Sequence, residues 1–572
     1  MRTRLNPQRR RAAGYTLALV LAFLTVGLLI LGGALEWSST NASLNDRNNT
    51  YFTTLAAAEA ATEKVLAHLA RDYQSQGESL VHANLDTYRL LVPTAAEDPL
   101  WAGFAFKNNS GEVNRTHVER IVAEAYTPLQ SQYQGIYGLA STYRVQSNAR
   151  SLSGSAPVEV GLRQDVQLAS IPIFQFAIFY SMDLEINPGP NMNVTGRVHG
   201  NANLYMQPVN TLTFQSHVTA SGQLVFNKHP EDPLSRNTNN SHVVFQGEHD
   251  ANVGSITLPI GTNNTPEAVA AILDIPPETE SEYSAMGKQR FYNKADLIVL
   301  VSNASVTVKS GRFNNFATTI PSSEWGSFVS TSASFYNWRE AKTVAAVDID
   351  VGKLKTWSET NTTLHAALGR DVRSIYVADM RSHGSGYQSG VRVRNGQTLP
   401  SLGLTVATPN PIYVQGHFNA PSAHLGTTNT SLTKPAALVG DAINILSTSW
   451  SDANSTASLS SRNAGNTTVN AALLGGIVPS GGGSYSGGVE NFPRFLENWS
   501  GDTLTYNGSM VVMFRSRVAT APWGASNVYN PPTRNWAFDV NFMDSTKLPP
   551  GTPEARVLVR GEWAAVRPGT GS

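Results

Sequence analysis

Arg9–Phe23 reads RRRAAGYTLALVLAF: three arginines run straight into apolar residues, and the layout of the whole chain follows from how that junction is read. From Ala12 to Leu35 there are 24 residues without a charge, enough to cross a hydrocarbon core as a helix, which takes about 20. A cleaved secretory signal has an apolar core of roughly 7 to 15 residues and a small-residue cut site, so the length argues for a permanent span. Arginines crowd one side of it, whereas Glu36 and Asp46 follow on the other. The positive-inside bias then places the short N-terminus in the cytoplasm and the bulk of the chain outside.

Beyond the span the helix has no reason to stop. Between Leu35 and Gln76 there is neither Gly nor Pro, and Tyr51–Lys64 (YFTTLAAAEAATEK) is rich in strong helix formers. Leu44, Tyr51, Ala58 and Val65 recur every seven residues, with Leu55, Thr62 and Leu69 four beyond, so one stripe is largely apolar. A continuous helix over residues 14–76 would be a rod of roughly 95 Å at 1.5 Å per residue. Small residues Gly27, Gly32, Gly33 and Ala34 in its membrane half permit close helix approach. The expected division is a cytoplasmic basic leader at 1–13, a transmembrane helix at 14–37, a helix extension at 38–76, an α+β head at 77–170 and a β-rich exported region at 171–572.

Arg11-Ala-Ala-Gly14-Tyr15-Thr16-Leu17 resembles the leader and first residues of type IV pilin-like proteins, in which a basic leader ends in Gly before an aromatic residue, Thr and Leu. Asn45-Asp-Arg-Asn48 followed by Leu55-Ala-Ala-Ala-Glu59-Ala-Ala is similar to the N-terminal region of the minor-pilin family PilX. The resemblance covers about the first 75 residues. It implies a leader-cleavage site between Gly14 and Tyr15, and partners among other pilin-like subunits or pilus assembly proteins. It also implies an assembly stripe of Gly32, Gly33, Leu44, Tyr51, Leu55, Ala58, Val65 and Leu69. One position departs: pilins carry Glu at the fifth mature residue, here Leu19, so the pairing of that acid with a neighbour's amino terminus is unavailable.

In the exported part, 115–139 carries a short helical pattern at Val118, Ile121, Ala125 and Leu129. Two alternating segments follow, Tyr137–Arg150 and Val158–Leu168, which read as antiparallel strands. From Ile171 on, apolar residues fall in pairs with one residue between: Leu184/Ile186, Leu204/Met206, Leu212/Phe214, Val218/Ala220, Leu224/Phe226. Short strands between Asn, Gly and Pro turns are what each rung of a β-solenoid needs, and no exact repeat length stands out. The expected fold is mainly β, an irregular β-solenoid preferred to a β-sandwich. Helical inserts are expected near 266–273 and 488–499, the second because Phe492, Phe495, Leu496 and Trp499 stand at i, i+3, i+4, i+7.

Composition narrows function further. The 42 basic and 42 acidic residues balance, and setting aside the five arginines before Gly14 leaves an excess of acid, so no nucleic-acid partner is expected. Absence of cysteine removes disulfides, thiolate metal sites and Cys nucleophiles and points to a bacterial inner-membrane protein whose bulk is periplasmic or at the cell surface. The twelve histidines show no ligand spacing, phosphate-cradling loops are absent, and His383–Gly390 lacks the G-x-S-x-G frame of a nucleophile elbow. Asp348 and Asp350 share a strand face about 7 Å apart, within reach of a cation, or are simply a face paired with nearby Arg339, Lys342 or Lys353. The chain is expected to have no cofactor and no catalytic activity: a pilin-like minor subunit whose β-rich surface serves adhesion or assembly. The alternative is a membrane-anchored β-solenoid that binds or cleaves surface polysaccharide.

Overall fold

The computed structural model of the chain describes residues 15–153, 157–234, 242–310, 318–524 and 527–569, the side chains of residues 363, 366 and 367 aside. The basic leader and Gly14 lie outside the described residues. The fold is mainly β behind one long N-terminal helix, α1 (Tyr15–Gln76, 62 residues). Gly77, in the left-handed region at φ 84°, ends it, and its N–H closes on Tyr73 O at 2.9 Å.

The second half of α1 lies on an antiparallel sheet built from β1 (Phe104–Lys107), β2 (His117–Pro128), β3 (Tyr137–Ser151) and β4 (Glu159–Pro172). Tyr143 and Val145 of β3 and Val166 and Leu168 of β4 meet Val65, Leu66, Leu69 and Tyr73 of the helix in one buried cluster. The fifth strand of this sheet is Glu554–Val566, which pairs antiparallel with β4 from Glu554↔Pro172 to Val566↔Gly161. The head is therefore closed by the end of the chain, and everything from Ile173 to Pro553 is inserted between two neighbouring strands of one sheet. Pairing over such a separation leaves no local trace: the alternation Ala555, Val557, Val559 marks a strand but not its neighbour.

The inserted region is dominated by parallel pairing. Leu184–Ile186, Leu204–Met206 and Leu224–Val225 stack in register, as do Ile178–Tyr180, Val198–Gly200 and Val218–Ala220. Each step is 20 residues, and the inward members Leu184, Leu204, Val198, Val218 and Phe214 are fully buried. The exact period missing from the sequence reading is thus present. It was hidden because few positions repeat the same residue and the run is short. Side chains repeat it too: Asp183, Asn187, Asn191 and Asn203 each accept the backbone N–H twenty residues on, at 2.9–3.0 Å, satisfying turn donors that no strand partner reaches.

The later strands assemble against the start of this run. In the 13-stranded sheet, Leu297–Val301, Ser374–Asp379, Leu404–Ala407, Ala436–Gly440, Thr467–Ile477 and Thr503–Arg515 follow one another, and the last of them pairs with Ile178–Tyr180. A six-stranded sheet runs beside it, from Val329–Asn337 to Pro493–Phe495.

Two helical expectations give way here. Residues 117–128 are strand, not helix. Register shifts between Arg120 and Val122 and between Val122 and Ala125 spread the apolar residues to spacings of three and four, because each bulge adds an unpaired residue. Gly488–Trp499 is a 3-10 turn at Val489–Asn491 followed by the strand Pro493–Phe495. Pro493 opens that strand, a position where its missing N–H is tolerated. Phe492, Phe495, Leu496 and Trp499 are all buried, so the i, i+3, i+4, i+7 spacing came from a turn and a strand burying both faces. At 266–273 the structure has the helix Pro266–Ala270, capped by Thr265, and a 3-10 turn.

Candidate functional site

The feature that sets this chain apart is α1, whose two halves lie in different surroundings. Buried positions begin at Thr54 and recur as Ala57, Ala58, Ala61, Thr62, Val65, Leu66, Leu69 and Tyr73, the three-four spacing of one helix face. Before Thr54 no helix residue is buried. Some 39 residues, about 58 Å of helix, stand away from the rest of the protein, and this is the one helix among the described residues long and apolar enough to cross a membrane.

Small residues set the closest approach of helix to sheet. At Ala57, Ala58 and Ala61, packed with Phe106, Ala149 and Leu162, the side chains end at Cβ. Ser147 Oγ donates to Ala58 O at 2.6 Å and lies 3.0 Å from Thr62 Oγ1, so even the polar groups at this seam are paired. Along the flank Lys64 Nζ donates to Val92 O at 2.8 Å and to Glu97 at 2.6 Å.

The C-terminal strand fixes the far end. Arg556 Nη1 donates to Tyr73 O and Gln74 O, each at 3.0 Å, joining the Gly77 N–H on the first, covering the second at a helix end short of intrahelical donors and setting a positive charge at the negative end of the helix dipole. Gln74 returns a bond to Arg556 O. Arg560 reaches Glu63 with Nη2 to Oε2 at 2.8 Å. A Cβ on Gly77 would come 3.1 Å from Arg556 Nη2, so the left-handed turn and the clamp share one tight space. Neither Arg556 nor Arg560 was singled out in the sequence. Two arginines four residues apart on one face of the last strand were the available signal, and nothing in it named the helix end as their target.

The residues of the expected stripe separate accordingly. Ala58, Val65 and Leu69 are fully buried in the head, whereas Leu44 is 53% and Tyr51 38% exposed; Leu55 lies between. Gly32 and Gly33 have nothing within 4 Å of where a Cβ would sit. Tyr15 is exposed, and its partner in the expected cut site, Gly14, is outside the described residues. The stripe is therefore not buried as one unit against its own head.

The two aspartates considered for a cation already have partners within the chain. Arg392 holds Asp348 with a fork of 2.8 and 2.7 Å and continues to Asp452 at 2.6 Å. Asp350 caps the helix Val351–Thr360 through Lys353 N at 3.1 Å and accepts from Asn395 at 2.8 Å. Their coordinating oxygens are occupied by donors. Among the described residues no group of three or more His, Asp or Glu side chains is arranged to hold a metal.

No protein family matches the sequence, and no curated protein does. Among solved structures the chain is similar to the competence-associated pilin ComZ from Thermus thermophilus, at 11% identity over 90% of this chain and 97% of that one, with a TM-score of 0.28. A superposition this loose carries no argument about this chain.

Proposed function

We propose that the chain is a type IV pilin-like subunit, held in a bacterial inner membrane by the first half of α1 and presenting its β-rich insertion outside for adhesion or assembly. One observation carries the proposal: a single unbroken helix is apolar and exposed to Leu35, polar and exposed to Thr53, and from Thr54 buried on an antiparallel head. An apolar helix that long is unfavourable in water and stable only in lipid or against other helices. In this reading the N-terminus is cytoplasmic, the leader is removed after Gly14, the parallel sheets wind as a β-solenoid, and the chain has no catalytic role. The PilX-like segment from Asn45 to Ala61 makes it a minor subunit.

The test is the double substitution Gly32→Leu, Gly33→Leu. Neither position touches the head, so a folded, protease-resistant exterior is expected with loss of co-purification with pilus components. Undiminished co-purification, or none by the parent, ends the pilin-like reading. N-terminal mass spectrometry of the membrane-extracted protein should begin at Tyr15.

A second reading, an anchored polysaccharide-binding protein, is favoured by one surface cleft. Its volume is about 420 Å³, and its walls include His417, Leu425, Asn466, Thr468, Thr503 and Thr505. The lining is hydroxyl, amide, imidazole and one aliphatic side chain, without a charged group, which suits a neutral polyhydroxylated ligand.

A further inference from the structure

At the base of the insertion, where the strands Leu297–Val301 and Ser374–Asp379 begin, a cavity of about 150 Å³ is lined by Lys294, Asp296, Arg370, Arg373, Ser374 and the Pro550–Gly551 turn. Three basic side chains surround it against one acid, and the acid is already spent. Asp296, 1% exposed, accepts a fork from Arg370 with both bonds at 2.7 Å and the Arg373 N–H at 2.9 Å. Such bidentate pairing leaves little lone-pair capacity for another cation.

Lys294 is the cation left over. Among the described residues no oxygen accepts a hydrogen bond from its Nζ, and its contact is with the Phe291 ring, 5.7 Å from the centroid, near the outer limit of a cation–π attraction. Burial pulls its ammonium down to about 8, opposed only by the more distant charge of Glu554. Lys294 is partly buried as a residue, and a charge desolvated there with no ion-pair partner within hydrogen-bond distance is costly. Evolution of the same backbone with Leu or Met at 294 would remove that cost, and the residue present is the one that attracts an anion.

We propose that this cavity binds a small oxyanion of the phosphate or carboxylate class, with Lys294 supplying the uncompensated charge and Arg373 and the Ser374 turn shaping the site. The volume leaves room for a phosphate together with bound water. The position gives the ligand something to do. Pro550 O is pinned by Thr405 Oγ1 at 2.7 Å, and three residues beyond Gly551 the chain enters the strand that closes the head. An anion held between Lys294 and this turn ties the head's last strand to the parallel stack.

The experiment uses the full chain in detergent, titrated with inorganic phosphate and, separately, with acetate, against chloride at matched ionic strength, with calorimetry and thermal unfolding as readouts. Saturable binding of phosphate, acetate or both is expected, with a matching rise in melting temperature. Lys294→Met should weaken it at least about tenfold, roughly 1.4 kcal/mol, and Lys294→Arg should keep it. Arg71→Met, on an exposed helix flank, is the control for general salt effects and should change nothing. Absence of saturable binding to the parent overturns the proposal, and so does equal binding by Lys294→Met. If Lys294→Met fails to fold, Lys294→Arg and Lys294→Gln carry the same comparison, and equal binding by both overturns it.

Discussion

The two halves of α1 share one backbone and one helical period, yet residues 15–53 are nowhere buried while residues 54–76 bury one face completely. What differs is the side chain the surroundings require. The embedded half uses Ala at 57, 58 and 61 to bring the sheet close and then Val65, Leu66 and Leu69 to fill the space behind. From Tyr15 to Leu35 the exposed half carries Leu, Val and Phe on every face, the mark of a helix surrounded by lipid or by other helices rather than docked on one surface, whereas residues 36–53 are mostly polar. The contrast teaches that length of apolar helix and stability of the folded head are separate properties of one element. The largest effect that can break it is a cavity. Leu69→Ala should cost about 2–5 kcal/mol of head stability, whereas Leu29→Ala should leave denaturant unfolding of the detergent-extracted protein within about 0.5 kcal/mol of the parent. Equal losses at the two sites would mean that the halves are not energetically distinct.

The comparison sharpens when head and stack are set side by side by charge. Ion pairs that hold the head helix are open to solvent, whereas the stack buries Glu497 at 1% exposure, with only Ser447 N and Oγ donating to it at 2.7 and 2.6 Å. Burial raises its carboxyl to about 7. Below about pH 4.5 the group is protonated folded or unfolded and burial is not penalised. Between 4.5 and 7 the unfolded chain loses the proton while the folded chain keeps it, so stability falls as pH rises, and the loss is complete once the folded form ionises as well. At about 1.4 kcal/mol per pKa unit the loss is about 3 kcal/mol. His199, which burial pulls down to about 4, works in the opposite sense, losing stability as pH falls below its unfolded value. The readout is therefore the difference between the parent and Glu497→Gln: denaturant midpoints at pH 4 and pH 8 should show the parent losing about 3 kcal/mol relative to the variant. A flat difference would show that Glu497 is ionised throughout.

Much of this was legible in the sequence, and the limits have physical causes. The charge-free run, the missing Gly and Pro, and Gly77 are local signals, and α1 runs unbroken from the first described residue to the end they imply at Gln76. The paired apolar residues of the insertion fall on strands up to Leu224, because a short buried strand needs only two inward side chains; Phe226 lies past the end of its strand and is 39% exposed. The misplaced helix at 488–499 arose where a three-residue strand, Pro493–Phe495, buries Arg494 as well as its apolar neighbours, too short a run to show a period of two. The helix Val351–Thr360 was overlooked although Asp350 stands at its cap and Leu354 and Ser358 follow Val351 at helical spacing; alternation through Asp348 and Asp350 masked the change of period. The cavity at Lys294 was beyond reach, because its walls come from three segments some eighty and two hundred and fifty residues apart.

The smallest effects test how the last strand joins the two halves of the comparison, for its two arginines grip α1 on either side of Leu69 in different ways. Arg556 is partly buried and donates to Gln74 O and, beside the Gly77 N–H, to Tyr73 O. Removing it leaves Gln74 O under a partly closed surface, so Arg556→Ala should cost about 1–3 kcal/mol, and Arg556→Lys should recover only part because an ammonium lacks the planar guanidinium that lies over the Tyr73 ring. Arg560 and Glu63 meet at 54% and 53% side-chain exposure, where solvent and salt screen the attraction. Arg560→Ala should cost less than about 1 kcal/mol, and that cost should fade between low and high ionic strength, whereas the Arg556 cost should persist. Denaturant unfolding of both variants at two salt concentrations separates the cases. If Arg560→Ala proves the more damaging, or the Arg556 penalty disappears in salt, the C-terminal strand holds the helix by charge alone and the carbonyl clamp contributes nothing.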